Sequence, residues 1–180
     1  VKVAAAEEAT PGPRTPRVGE AEMANGLTVY RQIDSLRVTP AYAIARLGGN
    51  GGSTPKSLSA FTAIGVDHGS DGEAGTDDDL EIGPVPAQWS VEPFDEAAAR
   101  DRDVEFAGLM DASSGLFTPA GAGPNPARTM STNNAGNLKV VATTDQGGQA
   151  ATGEAQLIVT VQRWNNPPLA TTNPPYVTTP

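Results

Sequence analysis

The chain has 180 residues, with 20 Gly, 16 Pro, no Cys, one His and a formal net charge of −9. This acidity opposes binding to nucleic acid and to anionic lipid, and no run approaches the roughly 18 apolar residues that would span a bilayer. The lack of Cys excludes disulfides, iron–sulfur clusters and covalent c-type haem attachment by this chain, and a single His removes most hydrolase and zinc-enzyme chemistry.

The first part of the chain, residues 1–35, predicts the C-terminal strands of a preceding β-domain. Segment 27–33 alternates apolar and polar residues, which is typical of a strand with one mostly buried face. Segment 14–18 suits a short edge strand, because Pro16 cannot donate to a ladder. Two or three strands cannot close a core alone, so the remainder of that domain is expected elsewhere.

Residues 36–165 predict one all-β, immunoglobulin-like β-sandwich. Strands are expected at 42–47, at 58–66 and at 88–92, and the alternation of the last one points Trp89 inward. Many Gly and Pro residues favour short strands and frequent turns over long helices.

The end of the sandwich predicts a hairpin, in which 137–144 pairs with 155–164 across an intervening loop. Along the second strand, Leu157, Val159 and Val161 are expected to face the core.

The remaining segments are short. One helix is expected at 95–102, because Asp95 can cap it and three consecutive Ala residues favour it. Segments 104–107 and 115–118 suit short extended pieces. Residues 166–180 form a Pro/Thr-rich tail, expected to be extended and either exposed or lying along a partner.

The most unusual segment, 67–81, holds seven carboxylates, three glycines between them and no Lys or Arg. Hard cations prefer several oxygen ligands, and carboxylates on a Gly-rich loop supply them, so a calcium site is a reasonable hypothesis although the spacing is not that of an EF-hand. The candidate metal ligands are Asp67, Asp71, Glu73, Asp77 and Asp79. The alternative is a solvated acidic loop whose Asp side chains cap turns.

Other candidate groups favour structural interpretations. His68 lacks an identifiable serine and acid partner and suits an exposed structural role. Trp89 is expected in the core, whereas Trp164 is the better candidate for a partner contact.

Three nearby carboxylates, Asp101, Asp103 and Glu105, resemble the acid pairs of glycoside hydrolases only in their proximity. Because Arg100 and Arg102 interleave with them, ordinary surface ion pairs are the expected arrangement. No catalytic residue is predicted in this chain.

With these residues in view, the chain resembles the C-terminal immunoglobulin-like domains of the α subunit of quinohaemoprotein amine dehydrogenase. The matching stretches cover about 28–168: VTP at 38–40, ARLGGNG at 45–51, GSDG at 69–72, GTDDD at 75–79, IG at 82–83, AQWSVEP at 87–93, DVEFAG at 103–108, FTP at 117–119, AGPNP at 122–126, NNAGNLKV at 133–140 and LIVTVQRWN at 157–165.

The resemblance implies a bacterial periplasmic location and partners in a redox complex. In that family the α subunit carries a dihaem cytochrome domain, a β-propeller subunit accompanies it, and a small subunit bears the quinone that oxidises primary amines. Haem and quinone would therefore lie only on partner domains or subunits, since this sequence has no Cys-x-x-Cys-His motif. No haem-ligand or catalytic position of the family maps onto this chain.

Two functions follow as alternatives. The first is a non-catalytic scaffold or docking module of a periplasmic amine dehydrogenase. The second is the same type of domain reused as an extracellular structural or binding module of a cell-surface or cytochrome assembly, with calcium in the acidic loop. A fold alone does not decide between them.

Overall fold

The computed structural model describes residues 4–48, 55–145 and 150–161. The strands are β1 Gly12–Arg14, β2 Arg17–Val18, β3 Ala21–Glu22, β4 Leu27–Val29, β5 Ser35–Thr39, β6 Tyr42–Arg46, β7 Ser59–Ala60, β8 Thr62–Asp67, β9 Leu80–Pro84, β10 Gln88–Pro93, β11 Gly108–Met110, β12 Leu116–Pro119, β13 Gly136–Asp145 and β14 Ala150–Thr160. Two short helices, α1 Glu96–Arg100 and α2 Asp103–Phe106, and a 3-10 turn at Thr129–Ser131 complete the described elements.

The N-terminal strands form two small antiparallel ladders, β1 with β4 and β2 with β3. The predicted strand at 27–33 is too long, because β4 ends at Val29. Beyond it, Ile33 is buried in the core of the sandwich, and the backbone N–H of Asp34 donates to the Val66 carbonyl at 2.9 Å. The assignment of residues 1–35 to a separate preceding domain stays a prediction.

The first large sheet has the strand order β10-β13-β14-β6. β13 and β14 form the predicted hairpin, but it is longer than expected, since pairing continues to Asp145↔Ala150. β6 pairs with β14 in parallel, whereas the other neighbours in this sheet are antiparallel. An early strand, β6, thus lies beside β14, the last strand of the described residues.

The opposing strands form two separate three-stranded sheets, β5-β8-β9 and β11-β12-β7. The predicted strand 58–66 is divided into β7 and β8, on either side of Phe61. β7 pairs with β12, and β8 lies between β5 and β9.

A single hydrophobic core lies between these strands and the four-stranded sheet, which confirms the predicted all-β, immunoglobulin-like sandwich. Trp89 is buried, and its ring lies 6.4 Å from that of Phe61. Leu157 and Val159 point inward as predicted, whereas Val161 is exposed. A fully buried aromatic such as Phe117 contributes about 2 kcal/mol through removal of apolar surface from water.

Close approach of β14 to β5 depends on one glycine. A Cβ added to Gly153 would lie 2.2 Å from the backbone oxygen of Leu36, closer than real Cβ contacts allow. Any other residue at 153 would therefore push β5 away from the sheet.

The two helices differ in how well the sequence predicts them. α1 begins after Asp95, whose carboxylate accepts the backbone N–H of Ala98 at 2.8 Å, as the capping prediction requires. The extended prediction for 104–107 is wrong, because α2 occupies Asp103–Phe106. Its last turn closes when the Ala107 N–H donates to the Asp103 carbonyl at 2.8 Å.

Candidate functional site

The outer face of the four-stranded sheet carries an exposed apolar patch. Tyr42 and Ile44 lie on edge strand β6 and are 52% and 41% exposed, respectively. The parallel register places Ile158 of β14 beside Ile44, and Ile158 is half-buried. We call Tyr42, Ile44 and Ile158 the β6 patch. Their inward-facing neighbours on the same strands fill the core, and these three side chains lie outside that core cluster.

Beside the β6 patch, the same face is polar and internally paired. Lys139 of β13 lies between Glu92, 3.0 Å from its Nζ, and Glu154, 2.7 Å from it. Hydrogen bonds to Glu154 and Glu92 raise the pKa of Lys139 above its ordinary value. Gln156 donates to Asn137 Oδ1 at 2.9 Å. These groups form a rim that offers hydrogen bonds and in which one ammonium faces two carboxylates, so that the lysine charge is fully compensated.

The acidic loop between β8 and β9 uses its carboxylates to bind its own backbone. Asp67 is buried; its Oδ2 accepts the Arg31 N–H at 2.7 Å and its Oδ1 accepts the Gly69 N–H at 3.0 Å. Asp71 Oδ1 accepts the Glu73 N–H at 2.9 Å. These are turn-capping contacts of the kind expected for Asp in Gly-rich loops.

The other acidic residues of this loop differ in their partners and exposure. Asp79 Oδ2 accepts the Gly75 N–H at 2.7 Å, while Asp77 and Glu73 are exposed. Asp78, which was not among the predicted ligands, bonds Ser70 and Thr76, and these hydrogen bonds lower its pKa to about 2.

Within the residues that the structure describes, no three or more His, Cys, Asp or Glu side chains form a group that could hold a metal ion. The predicted ligands Asp67, Asp71, Glu73, Asp77 and Asp79 therefore form no such group, and the calcium site stays a prediction.

His68 has a partner that the sequence did not reveal. Its Nε2 lies 2.8 Å from Ser35 Oγ, and its backbone N–H donates to Asp34 Oδ2 at 2.8 Å. The Asp34 contact goes to the main chain, so it cannot orient the imidazole as the acid of a catalytic triad does. The pair fastens the start of β5 to the end of β8.

The three carboxylates near α2 have different roles. Asp101 and Glu105 form surface ion pairs with Arg100 and Arg102, as predicted. Asp103 is instead buried: its Oδ1 lies 3.1 Å from Arg128 Nη1. The surface prediction is wrong for Asp103 because its partner lies on a loop remote in sequence.

Asp103 also fixes the neighbouring strand, since its Oδ2 accepts the backbone N–H of Asn137 at 2.8 Å. The guanidinium of Arg128 stacks over the ring of Phe106 at 5.1 Å from its centroid, and that of Arg102 lies 4.8 Å from the same centroid. Among the ion pairs of the described residues, Arg128–Asp103 is the one with both side chains buried. Trp164, the predicted partner contact, lies outside the described residues.

Comparison with known proteins decides the family. A family model of quinohemoprotein amine dehydrogenase, alpha subunit domain IV, matches residues 36–169. The chain belongs to this domain IV family. The match spans the whole sandwich, and the resemblance inferred from the sequence is confirmed; the C-terminal placement of the domain in a longer subunit stays a prediction.

Other comparisons add little. A solved structure of mouse clustered PcdhgC3 EC1-3 is similar with a TM-score of 0.41 and 14% identity, and the alignment covers 72% of this chain and 33% of that one. No curated protein matches the chain. Among the residues that the structure describes in this chain, no helix is long and apolar enough to cross a bilayer.

Proposed function

We propose that this domain is a non-catalytic docking module of a periplasmic complex of the quinohaemoprotein amine dehydrogenase type. Haem and quinone would be carried by partner domains or subunits: the dihaem cytochrome domain, the β-propeller subunit and the quinone-bearing small subunit. Membership of the domain IV family supports a role related to that enzyme. The β6 patch supplies the surface by which the module would dock.

The position of the β6 patch suits an interface. Tyr42 and Ile44 lie on an edge strand, and their outward-facing side chains lie beside Ile158. Adjacent exposed apolar side chains with a polar rim are typical of sites of protein association, and Tyr is enriched in such sites. A partner that covers Tyr42, Ile44 and Ile158 would remove their apolar surface from water.

The polar rim favours recognition by hydrogen bonds rather than by net charge. Lys139 is held between Glu92 and Glu154, so its charge is already compensated within the module. Because rim charges mainly affect association rate, we expect the apolar residues to dominate affinity.

Reconstitution with the rest of the complex tests this proposal. The tagged chain would be co-expressed with the haem-bearing and quinone-bearing polypeptides of a complex of this type, and the haem absorbance recovered per tagged chain would be measured. Replacement Ile44→Glu is expected to reduce the recovered haem by about tenfold, which corresponds to the loss of about 1.4 kcal/mol at one interfacial anchor.

Leu109→Glu is the matched control, because Leu109 is 78% exposed and lies on β11, outside the four-stranded sheet. Both variants should melt at the wild-type temperature, since neither side chain packs in the core. Equal haem recovery with both variants would eliminate the β6 patch as the docking surface. No haem with the wild-type chain would reject the redox complex and leave the reused extracellular module.

A further inference from the structure

Arg128 carries hydrogen-bond donors that nothing in the domain satisfies. Its side chain is 8% exposed. Nη1 donates to Asp103, but Nε and Nη2 are buried, and no described residue accepts a hydrogen bond from them. Buried donors of this kind are costly unless something accepts them.

The two unsatisfied nitrogens lie on the same edge of the guanidinium. Nε–H and one Nη2–H point in parallel and form the fork that binds two oxygens of one planar oxyanion. Asp103 cannot serve this edge, because one of its oxygens bonds Nη1 and the other accepts the Asn137 N–H.

An open cavity of about 450 Å³ lies beside Arg128. Its lining supplies a second guanidinium from Arg100 and hydroxyl donors from Thr129 and Thr132. Met130 also lines the cavity, and its side chain is 91% exposed and makes an apolar wall. The volume lies in the usual range of small-molecule sites.

We infer that this cavity binds a small monocarboxylate, with its two oxygens on the Nε/Nη2 edge of Arg128 and its apolar body against Met130. Charge favours a monoanion over a dianion: Asp101 also lines the cavity and Asp103 already pairs with Arg128, so the two arginines are balanced by two carboxylates, and a monocarboxylate adds one negative charge where a phosphate dianion adds two. This inference is independent of the docking role.

Access to the fork requires only a local movement. Thr129 and Met130 of the turn Thr129–Ser131 line the cavity, and none of the residues of this turn is buried. Met130 and Ser131 have φ values of 58° and 51°, in the left-handed region that disfavours side chains other than Gly. The hydrogen bond from Thr132 N–H to the Thr129 carbonyl is long, at 3.4 Å. A carboxylate can therefore displace this turn without disturbing the core.

Nuclear magnetic resonance of the Arg Nε–H groups tests the site in the wild-type ¹⁵N-labelled chain. Sodium butyrate is expected to shift the Arg128 Nε–H signal with saturation at a dissociation constant of about 1 mM, typical of a small fragment-like ligand. The Arg102 signal should stay in place, because its guanidinium is already bidentate with Glu105.

Arg100→Gln is the informative variant, since Arg100 is exposed and its loss leaves the buried pair intact. It should weaken butyrate binding by about threefold, the effect of one exposed charge. Sodium chloride at matched ionic strength and sodium phosphate complete the titrations. A stationary Arg128 signal, an equal shift with chloride, or tighter binding of phosphate than of butyrate would overturn the assignment.

Discussion

Two buried carboxylates, Asp67 and Asp103, join distant parts of the sandwich in different ways. Asp67 accepts backbone N–H groups from Arg31 and Gly69, and its nearest cationic atom, Arg31 Nη1, lies 3.9 Å away on an exposed side chain. Asp103 contacts a buried guanidinium at 3.1 Å as well as one backbone N–H. Asp67 thus joins its neighbours through hydrogen bonds from backbone amides, and Asp103 does so mainly through a buried ion pair.

The difference predicts unequal consequences of removing each acid. Loss of a buried ion-pair partner leaves an uncompensated charge out of water, whereas loss of a carboxylate bonded to amides leaves neutral donors that water can reach when the loop moves. The energetic importance of a buried Asp therefore depends on its partner as well as on its burial.

The largest effect is expected from Asp103→Ala. Arg128 would remain buried without its anion, and the Asn137 N–H would lose its acceptor. The free energy of unfolding should fall by about 4 kcal/mol, as measured by urea denaturation. Asp101→Ala is the control, because its side chain is exposed and its pair with Arg100 is at the surface.

A double replacement tests whether charge is the cause. Asp103→Leu combined with Arg128→Met removes both charges and should recover most of the stability lost by Asp103→Ala, since apolar pairs of similar volume often replace buried ion pairs at little cost. An Asp103→Ala variant as stable as Asp101→Ala would show that the pair is not buried in solution.

A smaller effect is expected from Asp67→Ala. Two N–H groups lose their acceptor, so the free energy of unfolding should fall by about 2 kcal/mol. Amide hydrogen exchange should accelerate at Arg31 and Gly69 but not along β13. Asp71→Ala is the control, because Asp71 lies in the same loop but is exposed, and it should change the free energy of unfolding by less than about 0.5 kcal/mol. A similar loss in both variants would show that the hydrogen bonds of Asp67 do not stabilise the fold more than those of Asp71.

The smallest effect concerns exposed carboxylates in tight turns. Hydrogen bonds from the Ser70 backbone and hydroxyl lower the pKa of Asp78 from 3.8 to about 2. Those from the Ser113 hydroxyl and the Ser114 backbone lower the pKa of Asp111 to about 2. Because these values fall on folding, their stabilisation is complete above about pH 4 and disappears as the pH drops towards 2.

The double variant Asp78→Asn/Asp111→Asn keeps an acceptor oxygen at each position but removes the titrating group. The urea midpoint should therefore depend less steeply on pH between 4 and 2 than it does in the wild-type chain. Identical slopes would show that neither carboxylate contributes to the acid sensitivity.

Much of the sandwich is predictable because its strongest signals are local. Alternation around Trp89 identifies β10 and the buried face, and Asp95 identifies the start of α1. β9 has no such signal, since Glu81, Gly83 and Pro84 are all uncommon in strands; its position depends on pairing with β8.

Local preference fails where distant contacts decide the outcome. Val104 and Phe106 favour a strand, yet contacts of Asp103 with Arg128 and with the Asn137 backbone fix the first turn of a helix there. For the same reason the sequence does not reveal the Asp103–Arg128 pair or the His68–Ser35 contact, because the partners lie far apart in the chain. The sequence shows the acidic composition of the β8–β9 loop, but the backbone amides that its carboxylates accept depend on the turn geometry.

The parallel pairing of β6 with β14 has a consequence for the order of folding. β6 follows β5 early in the sandwich, but among the described strands its ladder of several residues is with β14, the last of them in chain order. Until β14 emerges from the ribosome, the edge of β6 that pairs with it has no hydrogen-bond partner, whereas the other edge can already form the bridge between Arg46 and Ser57. Because β6 and β14 are far apart in the chain, this sheet cannot be complete before β14 has been synthesised. The contact between them is then among the slower ones to close.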